Sequence, residues 1–75
     1  MIGQCGERIV LDGSEIHVTV YCVYNKRECR ITSVKLDSTT DIRGITHEKN
    51  SEILQELPLT LIKNLEELMF GHAND

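Results

Sequence analysis

The chain has 75 residues, with eight Lys or Arg and twelve Asp or Glu, so its formal net charge is −4 at pH 7. A chain this short forms one small domain that buries only about 60–65% of its unfolded surface. The acidic balance disfavours long-range attraction to nucleic acid, and no apolar run reaches the roughly 20 residues that a membrane-spanning helix needs.

The three cysteines indicate the redox state of the cellular compartment in which the protein is expected to lie. An odd number at irregular spacings, with no secretory signal in front of them, is typical of free thiols in a reducing cytoplasm. Cys22 and Cys29 fall on one face of neighbouring predicted strands, directly opposite each other if the turn has two residues. They are interpreted as small buried hydrophobes, the alternative being a metal or redox pair. Without a C-x-x-C pair or clustered histidines, the sequence predicts no metal and no cofactor.

Residues 15–24 alternate apolar and polar side chains more cleanly than any other stretch, which predicts a strand with one buried face. Residues 7–11 alternate as well, and Asp12-Gly13 between the two runs is typical of a hairpin turn. Ile9 is expected to pair with Ile16, or with Val18 if the loop is longer. Residues 1–6 are predicted to be an extended arm or a short edge strand.

A second hairpin is predicted through the polar residues 25–27. In the third strand the apolar residues shift from odd positions to even ones across Thr32-Ser33. A β-bulge at that point would return all of them to one face; the alternative is that the strand ends there.

The C-terminal part changes to helical spacing. Residues 37–46 predict a loop with a short fourth strand, and apolar residues then recur every three or four positions. Because Pro58 cannot continue a helix but can begin one, we predict a short helix from about Glu48 to Glu56. A longer helix is predicted over 58–70, closed by Gly71. The fold class is therefore α+β, with an antiparallel sheet of three to five strands and two hairpins followed by two C-terminal helices. The sheet part covers 1–45, the helical part 46–71 and a frayed tail 72–75 of a single domain, 1–75.

No enzyme is predicted. Asp12, Ser14 and His17 are close in sequence, but a hairpin turn offers no pocket that excludes water. An interaction surface is predicted instead, since Tyr21 and Val23 leave the outer face of the central strand partly apolar. With Leu65 and Met69 on an unusually wide apolar helix, they are the candidate residues for a protein partner. These surfaces and the exposed sheet edges also predict a homodimer or a higher oligomer.

The basic residues of the strand half suggest a second kind of partner. They are Lys26, Arg27, Arg30, Lys35 and Arg43. Such side chains bind phosphate, and Tyr21 and Tyr24 could stack on bases, so RNA is a candidate ligand.

One sequence pattern resembles a known family. It reads Gly6-Glu7-x-Ile9-x-Leu11, Gly13-x-Glu15-Ile16-x-Val18-x-Val20-x-x-Val23 and Arg30-Ile31. Over residues 6–31, with one-residue insertions in both turns, this pattern resembles the carbon storage regulator (CsrA) family of small bacterial translational regulators.

The resemblance implies a cytoplasmic homodimer with strands interlocked between two chains, which binds GGA-containing RNA hairpins to control translation. It implies that Arg43 falls on an RNA-contacting arginine. A shifted alignment instead matches His47 to the histidine that often precedes that arginine, and puts Glu48 where the arginine should be. Arg30, Lys26 and Arg27 would supply further contacts. The family's basic N-terminal arm has no counterpart in MIGQC, and Lys35-Leu36 stands where an Ala-Pro pair is usual. The alternative function is an inhibitor or adaptor that binds protein and no RNA.

Overall fold

The structure is a computed structural model that describes the backbone of residues 1–73 and the side chains of residues 1–71. Its strands are β1 (Ile2–Leu11), β2 (Ser14–Tyr24), β3 (Cys29–Leu36), β4 (Thr40–Ile42) and β5 (Ile45–His47). A 3-10 turn (Leu54–Glu56) and one helix, α1 (Leu59–Ala73), follow. Strands β1, β2 and β3 form an antiparallel sheet in that order, and β4 and β5 form a separate two-stranded sheet. This confirms the α+β class and its antiparallel sheet.

The first hairpin has the predicted two-residue turn. Asp12 and Gly13 both have positive φ angles, 51° and 82°, the geometry that lets a tight turn match the twist of its strands. Ile9 pairs with Ile16, the first of the two predicted registers. Residues 1–6 were predicted to be an extended arm or a short edge strand, and from Ile2 onward they belong to an edge strand, so β1 runs along β2 over nearly its whole length.

The second hairpin closes through an Asn-based turn and carries the predicted bulge. The Asn25 side-chain oxygen accepts the backbone N–H groups of Arg27 and Glu28, at 2.7 and 2.9 Å. Along β3, Ser33 pairs with Tyr21 but Ile31 pairs with the next residue of β2, which leaves Thr32 as the extra residue. The bulge is therefore confirmed, and Ile31 before it and Val34 and Leu36 after it are buried.

The prediction of a first helix before Pro58 is wrong. Residues 50–53 instead run along the free edge of β3. The N–H of Asn50 donates to the C=O of Leu36 (2.9 Å), the N–H of Leu36 to the C=O of Ser51 (3.1 Å), and the N–H of Ile53 to the C=O of Val34 (2.8 Å). Pairing with an edge strand satisfies these backbone groups and buries Ile53 completely, whereas a nine-residue helix is marginal by itself.

The second predicted helix is present as α1, beginning after Pro58, whose C=O accepts the N–H groups of Leu61 and Ile62. Its predicted end is wrong, because Gly71 continues the helix to Ala73. Of the tail that was predicted to be frayed, residues 72–73 are helical, and positions 74–75 lie outside the described residues. Within residues 1–73, no helix is long and apolar enough to cross a membrane.

Helix α1 lies against β3 and β2 and covers the inner face of the sheet. The buried apolar residues form one core: Ile9, Leu11, Ile16, Val18, Val20, Cys22, Ile31, Val34, Leu36, Ile42, Ile53, Leu57, Leu65 and Met69. They alternate along the strands, so the intervening residues form an outer face directed away from the helix.

Candidate functional site

The outer face of the sheet carries exposed apolar side chains from two neighbouring strands. Ile2 on β1 and Val23 on β2 are directly opposite each other, with 83% and 47% of their surface exposed. Tyr21, two residues before Val23, is half-buried on the same face. We call Ile2, Tyr21 and Val23 the outer patch. An exposed group of apolar side chains on a rigid sheet is typical of an interaction surface.

Two cations border the outer patch. Arg30 pairs with Val23 across the β2–β3 ladder, and the Lys35 ammonium lies 5.8 Å from the centre of the Tyr21 ring. A cation over an aromatic face is held by the ring quadrupole, which orients Lys35 along the patch. The outer patch therefore combines an apolar centre with a basic margin.

The structure divides the five predicted RNA-binding residues between different parts of the molecule. Lys26 and Arg27 are exposed in the β2–β3 turn, close in sequence to Arg30 at the start of β3. Arg43 and His47 belong to the β4–β5 hairpin, which is not part of the three-stranded sheet.

Arg43 has partners within the chain. It lies in the β4–β5 turn with φ at 53°, followed by Gly44 at 81°. Its Nε donates to Asp12 Oδ2 at 2.6 Å, and its Nη1 lies 3.6 Å from Glu56 Oε2. The guanidinium thus links the β1–β2 turn to the 3-10 turn, so binding RNA would mean exchanging these carboxylates for phosphate or guanine.

His47 is held locally. Its Nδ1 lies 3.0 Å from the C=O of Ile45, and the ring is half-buried. Its assignment as an RNA contact stays a prediction, as does that of Arg43.

Leu65 and Met69, the helix residues predicted to bind a partner, are each only 5% exposed and belong to the core. The helix turns these side chains toward β3, so they stabilise the fold rather than form an outer surface. The exposed apolar residues of α1 are Leu59 and Leu68, at 65% and 44%. The spacing identified a broad apolar stripe, but only packing shows which part of it faces the sheet.

The cysteines lie on the inner face. Cys29 pairs with Tyr24 rather than with Cys22, so the directly opposed pair expected for a two-residue turn is wrong; the loop has four residues. Burial, a hydrogen bond with Cys22 and the nearby Cys22 and Glu66 raise the pKa of Cys29 to about 11. Burial and the Glu7 carboxylate likewise raise the pKa of Cys5. Both thiols are therefore protonated at neutral pH and are poor nucleophiles.

In the described part of the chain, no group of three or more His, Cys, Asp or Glu side chains is placed to hold a metal ion.

The sequence interpretation missed the role of two carboxylates. Glu52 Oε2 accepts the N–H of Val34 at 2.8 Å and that of Leu54 at 3.1 Å, and its Oε1 accepts the Ser33 hydroxyl. Glu66 on α1 accepts the N–H of Ile31 at 3.1 Å. Both carboxylates bind backbone donors of β3. The sequence placed Glu52 within the helix predicted from Glu48 to Glu56, and no local signal indicates that its carboxylate binds the backbone of β3.

Comparison of the chain with family models, with curated proteins and with solved structures finds no match.

Proposed function

We propose that this protein is a non-enzymatic binding module that uses the outer patch to hold a protein partner. The observation that supports the proposal is the exposure of Ile2 and Val23 side by side on a sheet face, while the helix covers the opposite face. Burying such a patch removes apolar surface from water and stabilises a complex, and Tyr21 adds an aromatic anchor of the kind enriched in interfaces.

The margin of the patch indicates the chemistry of the partner. Arg30 and Lys35 lie beside the patch, and Lys26 and Arg27 extend the basic margin into the turn. A partner with an apolar centre and acidic residues around it would be complementary in both respects. Complementary charges speed encounter and select among partners more than they add affinity.

A photoreactive amino acid at position 23 tests this proposal in a lysate of the producing cell. The same amino acid at position 59 is the matched control, since Leu59 is also apolar and is 65% exposed, against 47% for Val23, but lies on α1. We expect a discrete crosslinked protein from position 23, lost in the presence of an excess of unlabelled wild-type protein. Unlabelled Val23→Asp should fail to compete, while Leu59→Asp should compete normally. Equal crosslinking from both positions, or equal competition by both variants, would show that the outer patch binds no partner.

RNA binding is the second candidate function. It is supported by the grouping of Lys26, Arg27 and Arg30 at one end of the sheet, where Arg30 borders a shallow hollow with Val23 and Tyr24. The resemblance of residues 6–31 to the CsrA family agrees with this candidate. Phosphate contacts from these side chains would give an affinity that falls steeply with salt.

A GGA-containing RNA hairpin, titrated at two salt concentrations, tests the second candidate. Lys26→Ala should weaken all RNAs alike and reduce the salt slope by about one. Arg43→Ala should weaken the GGA hairpin by about 1–3 kcal/mol and reduce discrimination against a mutated loop. If the wild-type protein binds no hairpin at low salt, RNA is not its ligand, and the crosslinking result then decides on the protein partner.

A further inference from the structure

Strand β1 forms an open edge of the sheet. Among the described strands it pairs with β2 alone. Met1 and Tyr24 exchange two backbone hydrogen bonds, of 3.0 and 2.9 Å. Because hydrogen-bonded pairs recur every second residue, the odd-numbered residues of β1 direct their N–H and C=O groups at β2. The even-numbered ones direct theirs outward: Ile2, Gln4, Gly6, Arg8 and Val10.

The opposite edge of the sheet is covered. Residues 50–53 bond to β3, and the carboxylates of Glu52 and Glu66 accept the N–H groups of Val34 and Ile31. Natural proteins protect sheet edges because a row of free backbone groups is a template for another strand. Here β3 is protected, and β1 presents ten residues without a proline.

We propose that β1 is the docking site for β1 of a second copy, which gives a continuous six-stranded antiparallel sheet. The two-fold axis passes beside Gly6, so that Gly6 faces Gly6 of the second copy. Ile2 then faces Val10 of the second copy, and Gln4 faces Arg8 of the second copy. Each copy keeps its own three strands, and none is exchanged.

Hydrogen bonding favours this register. In a symmetric antiparallel pair of β1 strands, only a two-fold axis at residue 6 places each even-numbered residue from 2 to 10 opposite an even-numbered residue of the second copy. Since each copy then contributes five outward N–H groups, about ten backbone hydrogen bonds form. An axis at Cys5 would leave Val10 unpaired.

Side-chain chemistry favours the same register. An axis at Glu7 would bring two like-charged carboxylates face to face, and an axis at Arg8 would do the same with two guanidinium groups. An axis at Gly6 avoids both and lets the Gln4 side-chain oxygen accept from Arg8. Ile2 and Val10, 83% and 65% exposed in one copy, cover each other on the outer face.

Amide hydrogen exchange of the wild-type protein, measured at several concentrations, tests the proposal. The odd-numbered amides of β1 are protected at every concentration by β2. The amides of Gln4, Gly6 and Arg8 should exchange at least tenfold more slowly at millimolar than at low micromolar protein concentration. Sedimentation over the same range should show the monomer converting to a dimer. A monomer at millimolar concentration overturns the proposal, and so does a dimer in which these three amides remain unprotected.

Two substitutions at Gly6 provide a matched pair for sedimentation. Gly6 has an outward N–H, and a Cβ at this position would meet no atom within 4 Å. Gly6→Pro removes the donor from the centre of the interface without removing a bond to β2, so the dimer Kd should rise at least tenfold. Gly6→Ala keeps the donor and should change the Kd less than threefold. Protected odd-numbered amides show that the variant sheet is folded.

A charge variant provides a third measurement. Gln4→Lys would place an ammonium opposite Arg8 of the second copy, so dimerisation should weaken severalfold and recover at high salt. An unchanged Kd at low salt would contradict the register. Because only purified protein is used, these results are independent of any protein or RNA partner.

Discussion

Replacing Glu52 by glutamine should destabilise the protein through the edge of β3. The carboxylate accepts two backbone N–H groups and the Ser33 hydroxyl. An amide has one acceptor oxygen and no charge. Hydrogen bonds to a charged group contribute about 1.5–3 kcal/mol when shielded and less when the group is partly in water, as Glu52 is. We expect Glu52→Gln to lower the free energy of unfolding by about 1 kcal/mol and Glu52→Ala by about 2 kcal/mol.

The effect should depend on pH in a defined direction. Partial burial raises the pKa of Glu52, but the hydrogen bonds from Ser33, Val34 and Leu54 and the charge of Lys35 outweigh it, so the pKa lies below its ordinary value. The stabilisation is therefore fully present above the unfolded-state pKa of about 4.3 and is lost as the pH falls through the lower folded-state pKa. Below that point, wild-type protein and Glu52→Gln should have equal stability.

Urea unfolding followed by circular dichroism measures both effects. With an m-value of about 1 kcal/mol/M, Glu52→Gln should move the midpoint by about 1 M at neutral pH. Glu67→Gln, an exposed position on α1, is the matched control and should stay within about 0.5 kcal/mol of wild type. A Glu52→Gln midpoint equal to wild type at neutral pH, or a difference that persists unchanged in acid, would refute this account of the β3 edge.

Four further substitutions test the core, the first turn and the orientation of α1. Cys22→Ser places a hydroxyl at a site only 2% exposed and should lower the free energy of unfolding in urea by about 1–3 kcal/mol. A chelator should leave the unfolding curve of the wild-type protein unchanged, and unfolding by the chelator would indicate a bound metal. Gly13→Ala forces a Cβ into a φ of 82° and should cost about 1–2 kcal/mol in thermal unfolding, so an unchanged melting temperature would contradict the turn geometry. Leu65→Ala should cost about 2–5 kcal/mol and Leu68→Ala less than about 1 kcal/mol, and equal losses would show that the helix is rotated from its described orientation.

The sheet was predictable because its signals are local. Alternation fixed which residues of β2 are buried, Asp12-Gly13 fixed the first turn, and the shift of apolar residues across Thr32-Ser33 indicated the bulge. Each signal arises within a few residues of the feature it determines. Local signals of this kind survive in a single sequence without knowledge of the rest of the fold.

The C-terminal part was less predictable because its conformation depends on distant residues. Ile53, Leu54 and Leu57 have helical spacing, yet Ile53 pairs with β3, since the free edge of that strand competes with a short helix. The candidate site shows the same limit. Alternation placed Tyr21 and Val23 on the outer face, but the partners of Arg43 and the burial of Leu65 follow from contacts between elements far apart in sequence.

The different sequence distances of the contacts at the two sheet edges imply an order in which they form as the chain folds. Strands β1, β2 and β3 are joined by short turns, so their contacts are close in sequence and form quickly. The cover over β3 comes from residues 50–53, which must first close a longer loop that contains the β4–β5 hairpin. Until that loop closes, the partly folded three-stranded sheet has two open edges. Strands of other chains could add to both edges at that stage. Docking of residues 50–53 covers one of these edges and leaves the three-stranded sheet with one open edge. Strand addition through one edge per molecule would stop at two copies.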